Sequence, residues 1–370
     1  MLKALDAYLN CGILLHGCAL AECELCRHGE LVAFSCKRRC LCPSCDAKRA
    51  LLFGEHLHQN VLLPYPYAHV TFSVPKRIRP FFKFDRMLLK HLYHAAWRAW
   101  QDAVDDELPM LKTGAVMALH SAGDLLHFHP HAHALCLYGA LDEQGVFHQL
   151  ESVDLEFLAR CFRDHVLDAL LEAQLLDEET VRGMQTWQHS GFHVFVGEPV
   201  SPDDADARCF LGRYLKKCPV SLARLELLGT EHGHMVRICS TAKGEPRSRT
   251  LDPLDFLAEL QCHIPNTFEQ TVRFFGVMSS RTRGAKRLAL DFPGSLPLSE
   301  PPHKPSAQWA RCIKQVYLVD PLVCPKCGGM MRIKSFILDP RETRRLCKHF
   351  GLVAGRAPPP LSVASLRYTA

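Results

Sequence analysis

Eight cysteines fall within the first forty-five residues, and four of them form the pairs Cys23-x-x-Cys26 and Cys42-x-x-Cys45, with fifteen residues between the inner members. Thiols placed this way constrain a fold more tightly than any apolar pattern, because two tight turns that each offer two thiolates complete a tetrahedral zinc site. Gly29 and Pro43 suit those turns. Cys36 or Cys40 could replace an outer ligand, and Cys11, Cys18, His16 and His28 lie nearby in sequence, but the spacing selects Cys23, Cys26, Cys42 and Cys45 as the ligands of a structural Zn²⁺. The chain holds 18 cysteines in 370 residues and opens without a basic, apolar, small-residue leader. Paired thiols in a chain of this length fit metal ligation in a reducing compartment, so a cytoplasmic location is expected. A second pair, Cys324-x-x-Cys327, has no obvious partner pair; Cys347 and His349 could complete a site, though at unusual spacing.

Hydrophobic residues make up 48% of the chain without any run of about 18 uncharged apolar residues, which predicts two or three domains and no membrane span. The net charge of +5 is too small to imply a nucleic-acid partner by itself. Its distribution says more. Lys37, Arg38, Arg39, Lys48 and Arg49 surround the cysteines, and Arg281 and Arg283 lie in a later basic run beside glycine. Loops of this kind can contact DNA phosphates, and solvated surface is the competing explanation for each. Composition shifts divide the chain into a zinc-binding, DNA-contacting module (1–63), a larger domain (64–290), a Pro- and Ser-rich linker (291–310), a small C-terminal module (311–357) and a loose tail (358–370).

Helical spacing is expected over 46–63 (with Ser44 as N-cap) at the end of the first module, and over 81–104, 155–176, 203–217 and 253–263 within the larger domain. Strand patterns cover 69–74, 115–120, 127–138, 192–196, 235–239 and 271–275, which predicts an α+β fold on an antiparallel sheet with flanking helices. Residues 115–120 and 127–138 read as a hairpin turning at Gly123-Asp124. Its second strand carries His129-Pro130-His131-Ala132-His133, and the two-residue period of a strand sends His131 and His133 to one face, with His129 beside them if Pro130 permits. Two neutral imidazoles one pleat apart can hold a divalent cation. On helix 203–217, Tyr214 and Lys217 stand three residues apart and share a face. A free phenol is about one part in a thousand ionised at pH 7, so a nucleophilic tyrosine needs a metal-polarised phosphate or a nearby ammonium.

These motifs together resemble the HUH rolling-circle transposases of the insertion-sequence ninety-one type. The resemblance runs from the N-terminal cysteine segment through the His120 and His-Pro-His-Ala-His strand pair and the Gly-Arg-Tyr-Leu helix. It continues to Arg273-Phe-Phe-Gly276, Arg281-Thr-Arg-Gly284 and Cys324-Pro-Lys-Cys327. It implies an HUH-type sheet and a metal-dependent enzyme that nicks and rejoins single-stranded DNA at element ends and in target DNA through a 5′-phosphotyrosine. Tyr214 maps onto the nucleophile, assisted by Lys217. His131 and His133 map onto the ligands of Mg²⁺ or Mn²⁺; His120 is the first choice of third ligand, ahead of His129 and Asp124. Phe210 stands where some relatives carry a second tyrosine, so the likeness is to a single-tyrosine branch, in which a second protomer is one way to complete the cycle. A replication initiator or relaxase would use the same chemistry, and a non-catalytic zinc-containing DNA-binding protein is the alternative from another class.

Overall fold

The computed structural model describes residues 2–187, 190–230, 233–240, 246–289 and 323–353; the expected linker at 291–310 and tail at 358–370 lie outside these. In chain order the N-terminal part contains α1 (Leu2–Leu9), β1 (Cys18–Cys23), β2 (Gly29–Ala33) and α2 (Pro43–Asn60). There follow β3 (Tyr67–Ser73), α3 (Arg79–Phe84), α4 (Leu89–Glu107), β4 (Gly114–Ala122), β5 (Phe128–Leu137), β6 (Gly139–Leu141) and β7 (Phe147–Gln149). Next come α5 (Leu155–Glu172), α6 (Glu178–Gln185), β8 (His193–Val196), α7 (Ala205–Tyr214), β9 (Leu225–Thr230), β10 (Gly233–Cys239) and β11 (Ser248–Leu251). The described chain ends with α8 (Pro253–Gln261), β12 (Val272–Gly276), α9 (Ser280–Ala289), β13 (Met331–Ile337) and α10 (Pro340–His349).

The chain divides into two compact units: residues 53–299, and residues 1–52 with 300–370. In the smaller unit β1 is the central strand of a three-stranded antiparallel sheet, with β2 on one side and β13 on the other. Residues expected to form a separate C-terminal module therefore fold as the third strand of the N-terminal one. Sequence spacing carries no signal for such a pairing, because Cys23 and Met331 meet only through strand register. A small core of Leu14, Cys18, Ile337 and Cys347 closes this unit, so Cys347 is a packing residue.

The larger unit is built on an antiparallel sheet ordered β12-β4-β5-β3-β8. Successive strand side chains point to opposite faces, and both faces of this sheet are covered. Ala68, Val70 and Phe72 of β3, Met117 of β4 and Ala134 of β5 face the buried stripes of α4 and α5, including Trp100, Phe162 and Leu170. Tyr67 of β3, Val116 and Ala118 of β4, and Leu135 and Leu137 of β5 face Leu57 of α2 and Leu215, just past α7. The helix expected over 81–104 is interrupted where Asp85 takes an extended backbone and its carboxylate accepts the Met87 N–H at 2.8 Å. A local side-chain bond of this kind competes with helix propagation. Helix α2 starts at Pro43, so Ser44 lies inside it rather than capping it, and proline in the first turn loses no helical hydrogen bond.

Candidate functional site

On the α2/α7 side of the sheet, apolar residues give way to histidine along three adjacent strands. Val116 and Ala118 lead to His120 on β4, Leu137 and Leu135 lead to His133 and His131 on β5, and Tyr67 leads to His69 and Thr71 on β3. Antiparallel register sets His120 opposite His131 and His133 opposite Thr71. The structure thereby brings His120, His131 and His133 together, with one nitrogen from each within 4.8 Å of the others. His129 and Asp124 are outside that group. Asp124 instead accepts from Arg224 at 3.0 Å and from Ser240, and Arg247 lies 3.6 Å away.

Each ring of the trio has one nitrogen engaged. His131 Nδ1 donates to the His129 carbonyl at 2.7 Å, and His120 Nε2 donates to the Leu215 carbonyl at 3.3 Å. With its proton on Nδ1, His133 donates to His69 Nε2 at 3.0 Å or Thr71 Oγ1 at 3.1 Å. In all three rings the other nitrogen keeps its lone pair for a ligand, the arrangement that outer hydrogen bonds impose on metal-binding histidines. Burial keeps these rings neutral: it pushes His120 down to about 3 and His69 to about 4, and it lowers His131 and His133 as well. A set of neutral imidazoles needs no deprotonation before it accepts a cation, so the donor set fits a divalent ion with remaining positions for oxygen. His69 and Thr71 belong to the site although sequence reading did not single them out. Only β3–β5 pairing reveals them, since His69 lies 64 positions from His133.

Helix α7 ends at Tyr214, three residues earlier than expected, and places the phenol against this patch. Its ring meets His133 edge-on at a centroid distance of 4.9 Å, with His69 at 5.3 Å and His120 at 6.2 Å. The chain then tightens, the Lys217 N–H donating to the Tyr214 carbonyl at 3.1 Å, and the Lys217 ammonium folds back to 5.1 Å from the phenol ring centroid. Burial raises the Tyr214 phenol above its ordinary value and lowers the Lys217 ammonium. The phenol is thus held protonated at neutral pH, and the nearby cation opposes the partial negative charge of the helix C-terminus. Helix α7 reaches this depth through Gly212, whose missing Cβ would lie 2.8 Å from the Gly54 Cα of α2.

Among the described residues of the smaller unit, eight cysteines form two groups, correcting the expected single site of Cys23, Cys26, Cys42 and Cys45. Cys11, Cys36, Cys42 and Cys45 converge in one; Cys23, Cys26, Cys324 and Cys327 converge in the other. Cys23 and Cys26 occupy the β1–β2 turn and Cys42 and Cys45 the start of α2, and each pair meets partners delivered by tertiary contacts. In the first group Cys11 lies 3.7 Å from Cys42 and 3.9 Å from Cys45, and Cys36 lies 3.7 Å from Cys45. Tetrahedral zinc with bonds of about 2.3 Å separates sulfurs by about 3.8 Å. The fit is close. The mutual hydrogen bond of Cys42 and Cys45 lowers the Cys45 thiol and raises Cys42, so the pair holds one proton that a metal would displace.

The basic residues are placed unevenly. Lys37 and Arg38 are exposed on the loop between β2 and α2, with Arg39 and Lys48 half-buried. Arg49 is occupied by Asp46 at 2.8 Å and by the Lys37 carbonyl at 2.8 Å, so it braces that loop. Arg281 is exposed on α9, while Arg283 donates to the Met278 carbonyl at 3.0 Å and lies over Phe274.

Comparison with known proteins defines the class. A family model described as "Transposase zinc-binding domain" matches residues 1–74, and one described as "Putative transposase" matches residues 114–286. The chain is a transposase with a zinc-binding domain. It is 29% identical over 343 residues to the "Transposase for insertion sequence element IS801" of Pseudomonas savastanoi pv. phaseolicola, covering 87% of this chain and 80% of the relative. It is 23% identical to "Putative transposase y4qJ" of Sinorhizobium fredii, covering 77% of this chain and 76% of that protein. By these likenesses the chain resembles transposases of the insertion-sequence ninety-one type. No solved structure matches it, and no helix among the described residues is long and apolar enough to cross a membrane.

Proposed function

We propose that this transposase cuts and rejoins single-stranded DNA at the ends of its element in rolling-circle transposition, with Tyr214 as nucleophile. The observation that carries this reading is the edge-on packing of Tyr214 against His133, within the same patch as His120 and His131. Tyr214 Oη forms a bond to phosphorus as the P–O3′ bond breaks; the phenol proton is lost, the 3′ oxygen gains one, and a 5′-phosphotyrosine remains. His120, His131 and His133 would hold Mn²⁺ or Mg²⁺, and such an ion, when bound, polarises a phosphate oxygen. Lys217 stabilises the developing phenolate from the ring face, and His69 and Thr71 fix the His133 ring. Exposed Lys37, Arg38 and Arg281, with Arg39 and Lys48, contribute phosphate contacts that hold the DNA.

The test incubates the full chain with single-stranded oligonucleotides carrying the element's ends and Mn²⁺, then separates covalent adducts by denaturing electrophoresis. Adduct should form with the wild type and vanish in Tyr214→Phe; a Tyr214→Phe protein that still forms adduct removes the nucleophile assignment. Replacing His131 and His133 together should abolish cleavage and leave the zinc content unchanged.

A further inference from the structure

We infer that the two ends of this chain are joined by a second zinc ion, held by Cys23 and Cys26 from the N-terminal hairpin and Cys324 and Cys327 from the C-terminal turn. The four sulfurs lie within 4.8 Å of one another, with Cys23 3.5 Å from Cys327 and Cys26 3.5 Å from Cys324. These separations are near the tetrahedral thiolate edge of about 3.8 Å and far beyond the roughly 2.05 Å of a disulfide.

The backbone supplies an independent argument, because both turns fold in one pattern. The Cys23 N–H donates to the His28 carbonyl at 2.8 Å and the Arg27 N–H to the Cys23 carbonyl at 3.1 Å. Likewise the Cys324 N–H donates to the Gly329 carbonyl at 2.8 Å and the Gly328 N–H to the Cys324 carbonyl at 2.9 Å. The fourth residue after the first cysteine has a left-handed backbone in both turns, Arg27 at φ 61° and Gly328 at φ 71°. Arg27 tolerates this conformation at a cost, while glycine enters it freely. Gly329 has a separate requirement, since a Cβ there would lie 2.8 Å from Leu25 and 3.2 Å from the Cys23 sulfur. Two turns of one geometry therefore point two thiols each toward a common centre, while β1 and β13 fix the separation by pairing Cys23 with Met331. Four thiols gathered without a cation would gain nothing from the arrangement, whereas Zn²⁺ displaces their protons and balances the thiolate charge.

The consequence is structural. A C-terminal segment placed some three hundred residues downstream completes the N-terminal zinc module, and Cys23 and Cys26, not Cys347 and His349, are the partners of Cys324 and Cys327.

Cys26 and Cys327 are exposed, which makes the proposal testable on the unaltered protein. In the full chain, elemental analysis should find two zinc ions and no iron, and alkylation with iodoacetamide followed by peptide mass spectrometry should leave Cys26 and Cys327 unlabelled. A chelator should then expose Cys23, Cys26, Cys324 and Cys327 together. Replacing both Cys324 and Cys327 by serine should lower zinc from two ions to one, with Cys42 and Cys45 still protected. One zinc per wild-type chain with Cys26 and Cys327 alkylating as free thiols would overturn the proposal. So would disulfide-linked peptides containing these residues in protein prepared under reducing conditions, or iron in place of the second zinc.

Discussion

Replacing Gly212 by alanine should separate the position of Tyr214 from the stability of the fold. The added Cβ would sit 2.8 Å from the Gly54 Cα and 3.4 Å from the Gly54 carbonyl oxygen and Leu57. Carbon atoms prefer about 3.5–4.0 Å, and the obstacle is backbone, so α7 has to move by about 1 Å. Overpacking costs about 1–3 kcal/mol, and alanine returns about 1 kcal/mol over glycine in a helix, which leaves a net loss of about 0–2 kcal/mol. Tyr214 follows two residues later and moves with the helix. A displacement of about 1 Å at a reacting group costs on the order of 100-fold in rate, equivalent to about 2.7 kcal/mol of barrier. Single-turnover adduct formation on single-stranded DNA, measured beside a urea titration, should show the rate falling far more than the stability. Gly183 in α6 supplies the control, because its Cβ would meet nothing within 4 Å. Gly183→Ala should stabilise by up to about 1 kcal/mol and leave the rate unchanged. An adduct rate in Gly212→Ala within about threefold of the wild type would refute the claim that close helix contact seats the tyrosine.

Three further outcomes follow from the same geometry. His69→Leu removes a hydrogen-bond partner of His133 and should weaken Mn²⁺ binding by about 10–100-fold in a calorimetric titration, with zinc content unchanged; unaltered affinity would leave His69 a packing residue. The metal-free protein should lose stability in acid: His120 and His69 sit at about 3 and 4 against an ordinary 6.5, so the unfolded chain takes up their protons first. Their contribution is complete above pH 6.5 and falls by about 1.4 kcal/mol per pH unit for each ring as the pH drops toward those folded values; urea midpoints that stay level through this window would contradict neutral burial. Glu269→Ala strips Arg86 of contacts at 2.7 and 3.1 Å, leaving it the Cys262 carbonyl, and should cost about 2 kcal/mol in chemical denaturation; a loss below about 0.5 kcal/mol would mark the pair as solvent-screened.

Local chemistry made the histidine-bearing hairpin legible. Alternation over residues 127–138 assigns a strand and places His131 and His133 on one face, and the observed β5 spans Phe128–Leu137. Helix α7 was readable from its spacing, but its end was not: the turn after Tyr214 depends on hydrogen bonds from Lys216 and Lys217 to the preceding turn. Strands β9 and β11 escaped notice because Leu225–Thr230 and Ser248–Leu251 carry weak alternation and are stabilised by pairing with β10. Propensity in such short strands yields to their neighbours.

The cysteines divide the two sources of information most clearly. The sequence by itself determined that the chain gathers paired thiols for zinc, that histidines line one strand face, and that a tyrosine and a lysine share the end of one helix, because each depends on residues a few positions apart. Tertiary structure alone decided which thiols meet. Cys23 joins Cys327 across 304 positions and Cys11 joins Cys42 across 31, since β-pairing and chain reversal set those distances. It also supplied His69, which reaches His133 only across adjacent strands.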